Sequence, residues 1–161
     1  MNRPAYFALA AFLGLCASSC RTAKPVAADP LAQAYDAEAD WNEPQRILTL
    51  NYEQAQGKRL FYTYCVWCHA DTTPAGPSNR SNLNPMPPLG NDGNAFNPLS
   101  DDLLRNVITL GGSAMGKSAL MPAWGQTLTQ GDVQSVIAFL RVIAVPAYTA
   151  PARPGSQYHI K

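Results

Sequence analysis

Cys65-Val66-Trp67-Cys68-His69 is the stretch on which the reading of this chain turns. Two thiols separated by two residues, with a histidine next in line, form the C-x-x-C-H attachment signature of a c-type haem. At this spacing both sulfurs can form thioethers to the two vinyl groups of one macrocycle. The histidine that follows reaches the iron from one face. Two other readings compete. A dithiol redox pair needs no histidine here and belongs beside a βαβ pattern, which the chain lacks. A zinc site needs more ligands, and the only other histidine is His159 in the tail. The motif therefore predicts one covalently bound haem c, with Cys65 and Cys68 as attachment points and His69 as the proximal iron ligand.

Such an iron needs a sixth ligand or keeps an open face. Of the four methionines, Met1 starts the chain, which leaves Met86, Met115 and Met121. Met121 heads Met121-Pro122-Ala123-Trp124-Gly125, which lies 52 residues after His69 and just before the last helical pattern. Thioether ligation opposite histidine raises the reduction potential and blocks small ligands. Pro122 stiffens the loop that presents the sulfur, and Trp124 is placed to close the pocket edge. Any one methionine is by default core filler. Context makes Met121 the first candidate for the distal ligand, Met115 the second and Met86 the third. His159 is disfavoured because it sits in a tail rich in Pro and Gly.

Three helical patterns surround these motifs. Residues 52–64 place Leu60, Phe61 and Tyr64 on one face. Residues 101–110 carry the stripe Leu103, Leu104, Val107 and Ile108, with Ser100 as N-cap, Asp101 and Asp102 at the positive end of the dipole, and Gly111 as stop. Residues 130–143 follow Thr129 as N-cap, with Asp132 three positions on. Val133, Val136, Ile137 and Leu140 there have the spacing of a buried face, and Pro146 ends the pattern. Between them, 71–99 and 111–128 are loops rich in Pro, Gly and Asn. Loops of that length in a small domain signal function or a bound body that they wrap.

The chain has 161 residues, 47% of them hydrophobic and only 14% charged, against about 25% in ordinary soluble domains. Twelve Lys and Arg against eleven Asp and Glu leave no basic surplus, which excludes nucleic acid as the expected partner. Fourteen prolines argue against a wholly helical chain. The four cysteines form two close pairs, Cys16 with Cys20 and Cys65 with Cys68, so a spread disulfide framework is excluded.

At the N-terminus, Arg3 precedes an apolar run from Ala5 to Ala17, 13 residues long and too short to span a bilayer. A charged start, a short apolar core and small residues read as an export signal. Ala17-Ser18-Ser19-Cys20 resembles a bacterial lipoprotein signal, in which the cysteine after small residues is lipidated and becomes the first residue of the mature chain. Cys16 is the weaker candidate because bulky Leu15 precedes it. An ordinary cleaved secretion signal is the competing reading. Removal of residues 1–19 deletes one charge, Arg3, and leaves 11 basic and 11 acidic side chains. The expected organisation is a signal at 1–19, a tether at 20–50, a haem domain at 51–145 and an extended tail at 146–161. The thirty residues 21–50 of the tether would have a root-mean-square reach of about 30 Å, and roughly 100 Å stretched. Trp41, Ile47, Leu48 and Leu50 suggest that its later part packs on the domain.

Residues 51–145 resemble a class I monohaem cytochrome c, in the order helix, C-x-x-C-H, proline loop, helix, Met loop, helix. The resemblance implies an all-α fold of three to five short helices wrapped around one haem, with long loops. Gly57 stands eight residues before Cys65, where that family places a glycine that lets the terminal helices cross. Phe61, Val136 and Phe139 match its apolar crossing contacts. Met86-Pro87-Pro88-Leu89-Gly90 resembles the family's proline loop, in which a prolyl carbonyl accepts a hydrogen bond from the proximal histidine. The resemblance assigns that carbonyl to Pro87, with Pro88 close behind. Export agrees with the family's haem attachment outside the cytoplasm.

The function implied is one-electron transfer in a bacterial respiratory or photosynthetic chain, on the periplasmic side of a membrane and held there by a lipid anchor. The protein is read as a carrier and not as an enzyme. It serves either as a tethered shuttle or as a subunit of a quinol-oxidising or terminal oxidase complex, and its partners are such complexes or another cytochrome. A haem-based sensor with a displaceable Met121 is the alternative. Residues 51–145 hold six basic side chains (Lys58, Arg59, Arg80, Arg105, Lys117 and Arg141) and six acidic ones, each read as solvated surface.

Overall fold

The structure is a computed structural model; it describes residues 34–151 except 41, 42 and 44. The export signal, Cys16, Cys20, Trp41 and His159 lie outside the described residues. No helix among the described residues is long and apolar enough to cross a membrane.

Helix α1 (Tyr52–Tyr64) starts on Asn51. The Asn51 carboxamide accepts from the Gln54 backbone N–H, and Gln54 Oε1 accepts from the Asn51 N–H, both at 2.9 Å. This reciprocal box satisfies two amides that the first helical turn leaves without partners. Helix α2 (Val66–His69) is one turn that continues directly from α1 through Cys65. Helix α3 (Gly93–Phe96) is capped by Asp92, which accepts from the Ala95 N–H at 3.1 Å. Helix α4 (Asp101–Leu110) starts where Ser100 Oγ accepts from the Leu103 N–H, and it ends at Gly111 with φ +81°. Helix α5 (Gln130–Ile143) has a second capping box, between Thr129 and Asp132. The three helices predicted from periodicity and caps match α1, α4 and α5.

Helices α1 and α5 cross at Gly57. A Cβ on that residue would lie 1.8 Å from the Ser135 carbonyl oxygen and 2.9 Å from the Phe139 Cβ. Only hydrogen at this position lets the two backbones meet. Beside the crossing, the rings of Phe61 and Phe139 pack with centroids 5.6 Å apart, and both side chains are fully buried. Val133, Val136, Ile137, Leu140 and Ile143 complete the core stripe of α5, and Leu104 and Ile108 join it from α4. At roughly 1.5–3 kcal/mol for each fully buried large apolar side chain, this seam is the main source of stability.

The fold is mostly helical, with small strands. Strands β1 (Asp36–Ala39) and β2 (Ile47–Leu50) form an antiparallel hairpin in which Asp36 faces Leu50 and Ala39 faces Ile47. The expected tether therefore folds from residue 36 onward. Leu50 is fully buried and Leu48 packs against the core, as anticipated, while Ile47 stays 60% exposed. Side chains of α1 reach back to hold the hairpin. Lys58 Nζ lies 3.2 Å from Glu38 and 3.5 Å from Asp36, and the Tyr62 hydroxyl donates to Glu38 at 2.9 Å. Strands β3 (Thr72–Thr73) and β4 (Gly76–Pro77) form a minimal second ladder just after α2.

The start of the expected tail is docked on the domain. Val145 donates to the Asn91 carbonyl and accepts from the Gly93 N–H, at 2.8 and 2.9 Å. Asn97 Nδ2 donates to the Pro146 carbonyl at 2.8 Å, and the Arg141 guanidinium stacks 4.0 Å from the Tyr148 ring centroid.

Candidate functional site

A cavity of about 460 Å³ opens between the ends of the helices. Small-molecule and cofactor sites occupy roughly 300–1,000 Å³. The end of α1 and α2 form one wall, with Phe61, Tyr64, Cys65, Cys68 and His69. Leu104 and Ile108 of α4 and Val136 and Leu140 of α5 form the back. Two loops complete it, one through Pro87 and Pro88 and the other through Met121, Pro122 and Trp124. The lining is almost wholly apolar, which suits a large flat hydrophobic ligand.

His69 is fixed from three directions. Its backbone N–H donates to the Cys65 carbonyl at 2.9 Å, which winds the one-turn helix α2. Its carbonyl accepts from the Gly90 N–H at 2.7 Å, and Gly90 lies so close that a Cβ there would meet the Phe61 ring at 2.5 Å. Its ring Nδ1 lies 2.8 Å from the Pro88 carbonyl oxygen. A carbonyl can only accept, so Nδ1 carries the proton and Nε2 keeps its lone pair for a metal. Burial lowers the His69 pKa; the bond to Pro88 opposes this, and the positive charge of Arg80 adds to the lowering. The neutral ring is the form that ligates.

The carbonyl beside His69 belongs to Pro88, one residue later than the Pro87 expected from the sequence. The reason is local. Arg80 Nε donates to the Pro87 carbonyl at 2.8 Å, which turns that oxygen towards the guanidinium and leaves the next carbonyl for the histidine. Pro87 still lines the cavity.

Cys65 and Cys68 are both free thiols. Burial pushes the Cys65 thiol up to about 12, with Cys68 adding to the rise, and burial raises Cys68 as well. Both sulfurs are therefore uncharged at neutral pH in the polypeptide. A thioether carries no ionisable proton, so attachment leaves no desolvated charge behind.

On the other loop, Met121 lines the cavity and packs against the core cluster. Its carbonyl accepts from the Gly112 N–H at 2.9 Å, and the Trp124 and Gly125 N–H groups donate to the Ile108 and Thr109 carbonyls, both at 3.0 Å. These bonds lace the loop to the end of α4. They require small residues there. A Cβ on Gly112 would sit 2.1 Å from the Ser118 oxygen, and one on Gly125 2.7 Å from Thr109 Cγ2. The Trp124 ring packs on Tyr64 at 5.3 Å and bridges the two walls. Of the other methionines, Met86 lines the cavity but is 56% exposed and neighbours the proline loop on the histidine's own side. Met115 lies in a 3₁₀ turn, Ser113–Met115, and does not line the cavity.

These residues fit a haem. One apolar chamber is lined by two thiols, by an imidazole oriented through the Pro88 carbonyl and by the Met121 thioether. Among the described residues no cluster of three or more His, Cys, Asp or Glu offers a rival metal site. Fold and site together define a c-type cytochrome domain. The family described as cytochrome c oxidase, cbb3-type, subunit III matches residues 53–140, and the chain belongs to that family. It is thus a cytochrome that binds covalently attached haem c and transfers electrons through it. No curated protein matches the chain.

Two arginines read as solvated surface are structural. The Arg80 side chain is 15% exposed and the Arg141 side chain 9%. Arg141 donates to Asp101 Oδ1 at 2.8 and 3.0 Å and to the Phe96 and Leu99 carbonyls at 2.8 and 2.6 Å, so it ties α5 to the α3–α4 connection. Only the tertiary fold reveals those partners, since they lie 40 to 45 residues away in sequence.

Proposed function

We propose that this chain is a class I monohaem electron carrier, exported and anchored through a lipid on Cys20, that works within a terminal oxidase complex on the periplasmic side of a bacterial membrane. The observation that carries the reading is that His69, Met121, Cys65 and Cys68, far apart in sequence, all line one apolar cavity. When bound, the haem supplies a one-electron couple. The chain's own residues do the rest. Cys65 and Cys68 would retain the group through repeated encounters, and His69, oriented by Pro88, would ligate its iron. Met121 would supply a second ligand, which would deny oxygen or peroxide access to the iron. Two such ligands and an apolar lining would keep reorganisation small between the two oxidation states. The family's oxidase description supports an oxidase as partner. The domain, with equal numbers of acidic and basic groups, offers no net charge to steer any other.

Four measurements test this. Met121→Leu should abolish a near-infrared thioether–iron band and lower the reduction potential; an unchanged band overturns the ligand assignment. Rapid carbon monoxide binding by the reduced protein would instead identify a displaceable ligand and a sensor. Extraction of membranes in mild detergent should recover the chain in stoichiometric complex with an oxidase, and recovery alone would favour a tethered shuttle. Cys20→Ser should release the protein from the membrane fraction.

A further inference from the structure

Among the described residues, Arg80 is a charged side chain that bonds the proline loop directly. Its residue lies in a 3₁₀ turn, Arg80–Asn82, held against the haem-attachment segment. The Asn79 N–H donates to the Trp67 carbonyl at 3.0 Å, the Ser78 N–H donates to the Asp71 carbonyl at 3.2 Å, and the Ser78 hydroxyl bonds the Ala70 carbonyl. From this base the guanidinium extends in two directions. Nε donates to the Pro87 carbonyl at 2.8 Å, and Nη1 donates to Asp71 Oδ1 at 2.9 Å. Asp71 stands two residues after His69, and Pro87 stands one residue before the carbonyl that His69 bonds. The fork thus spans both ends of the His69–Pro88 hydrogen bond. A planar guanidinium suits that task because its donors keep fixed relative directions.

We infer that Arg80 is a positioning residue for the proximal ligand: with Asp71 it clamps the proline loop and so sets the length and direction of the His69–Pro88 hydrogen bond. The inference rests on His69 as the axial ligand. The side chain of Asp71 is 68% exposed, so the ion pair by itself stabilises little. The function of the pair is directional. It keeps one of the two adjacent prolyl carbonyls occupied and leaves the other to the imidazole. The strength of that second bond governs how much electron density the ring gives to the metal.

The test uses the reduced holoprotein and the exchange rate of the His69 Nδ1 proton, followed by NMR. Arg80→Met should speed that exchange at least tenfold and shift the reduction potential, while amides at the α1–α5 crossing exchange as in the wild type. Asp71→Asn keeps the bond to Pro87 and should give a smaller acceleration. Arg80→Lys, which keeps charge without the fork, should behave like Arg80→Met. An unchanged Nδ1 exchange rate in Arg80→Met overturns the inference. So does equal acceleration of the core amides, which would mark a general loss of stability. If the wild-type His69 ring protons lack the ring-current shift of an axial ligand, the ligand assignment itself has failed, and the two failures are separable.

Discussion

Gly57→Ala probes the crossing on which the whole fold depends. The new methyl would lie 1.8 Å from the Ser135 carbonyl oxygen and 2.5 Å from its carbon, both backbone atoms. Ordinary contact needs about 3.5 Å, so α1 and α5 would have to part by roughly 1.5 Å at their closest point. A gap of about 0.5–1 Å already forfeits a quarter to a half of each dispersion contact, and Phe61 and Phe139 sit beside the crossing. Overpacking costs about 1–3 kcal/mol, or more where a backbone must move, and the better helix propensity of Ala offsets about 1 kcal/mol of that. The expected net loss is about 2 kcal/mol, or roughly 8–16 °C in Tm for a domain of this size. The assay is guanidinium unfolding of the oxidised holoprotein followed by far-ultraviolet circular dichroism. Gly131→Ala is the control, because the nearest atom to its Cβ would be Thr129 Oγ1 at 3.8 Å. It should leave stability unchanged or raise it by up to about 1 kcal/mol. A Gly57→Ala protein as stable as the wild type would refute the close-crossing argument.

Arg141→Leu should destabilise the domain by about 2–3 kcal/mol in the same unfolding assay, because it strands the Leu99 carbonyl, leaves the Phe96 carbonyl with the Leu99 N–H as its remaining donor, and releases Asp101 and the Tyr148 ring. Limited proteolysis should then cut first near Tyr148. Asp132 has a lowered pKa, through its side-chain and then its backbone hydrogen bond to Thr129. Its contribution to stability is therefore present above the ordinary carboxylate pKa of about 3.9 and lost as pH falls through the lower folded value. Asp132→Asn should accordingly be less stable than wild type at pH 6, and the difference should shrink by pH 3. A difference that stays constant over that range would remove the carboxylate from the cap.

What could be read from the sequence was whatever has a local cause. Ser100 and Thr129 announce their helices because a hydroxyl three residues before a free amide is a short-range signal. Gly57 was legible through the family resemblance, which places a glycine eight residues before the first haem cysteine. The hairpin at 36–50 was harder. Its strands have four residues each and owe their place to Lys58 and Tyr62, which reach back from α1. Helix α3 is a single turn, too short to show a period, and only Asp92 marks its start. The choice between Pro87 and Pro88 turned on which carbonyl Arg80 takes, and no property of the two prolines themselves distinguishes them. The arginines were misread for the same reason: a charge looks solvated until its distant partners are known.

The hairpin also fixes the length of the leash. Tyr35 already donates to the Leu50 carbonyl, at 2.6 Å, so the folded part begins by residue 35 and not at residue 51. With Cys20 at the membrane, as proposed, fifteen residues remain, which span at most about 50 Å and on average about 20–25 Å. A linker this short would hold the domain at an effective concentration in the millimolar range around such an anchor. Any acceptor within that radius would meet it as an intramolecular neighbour, and electron delivery would become independent of how many copies the membrane contains.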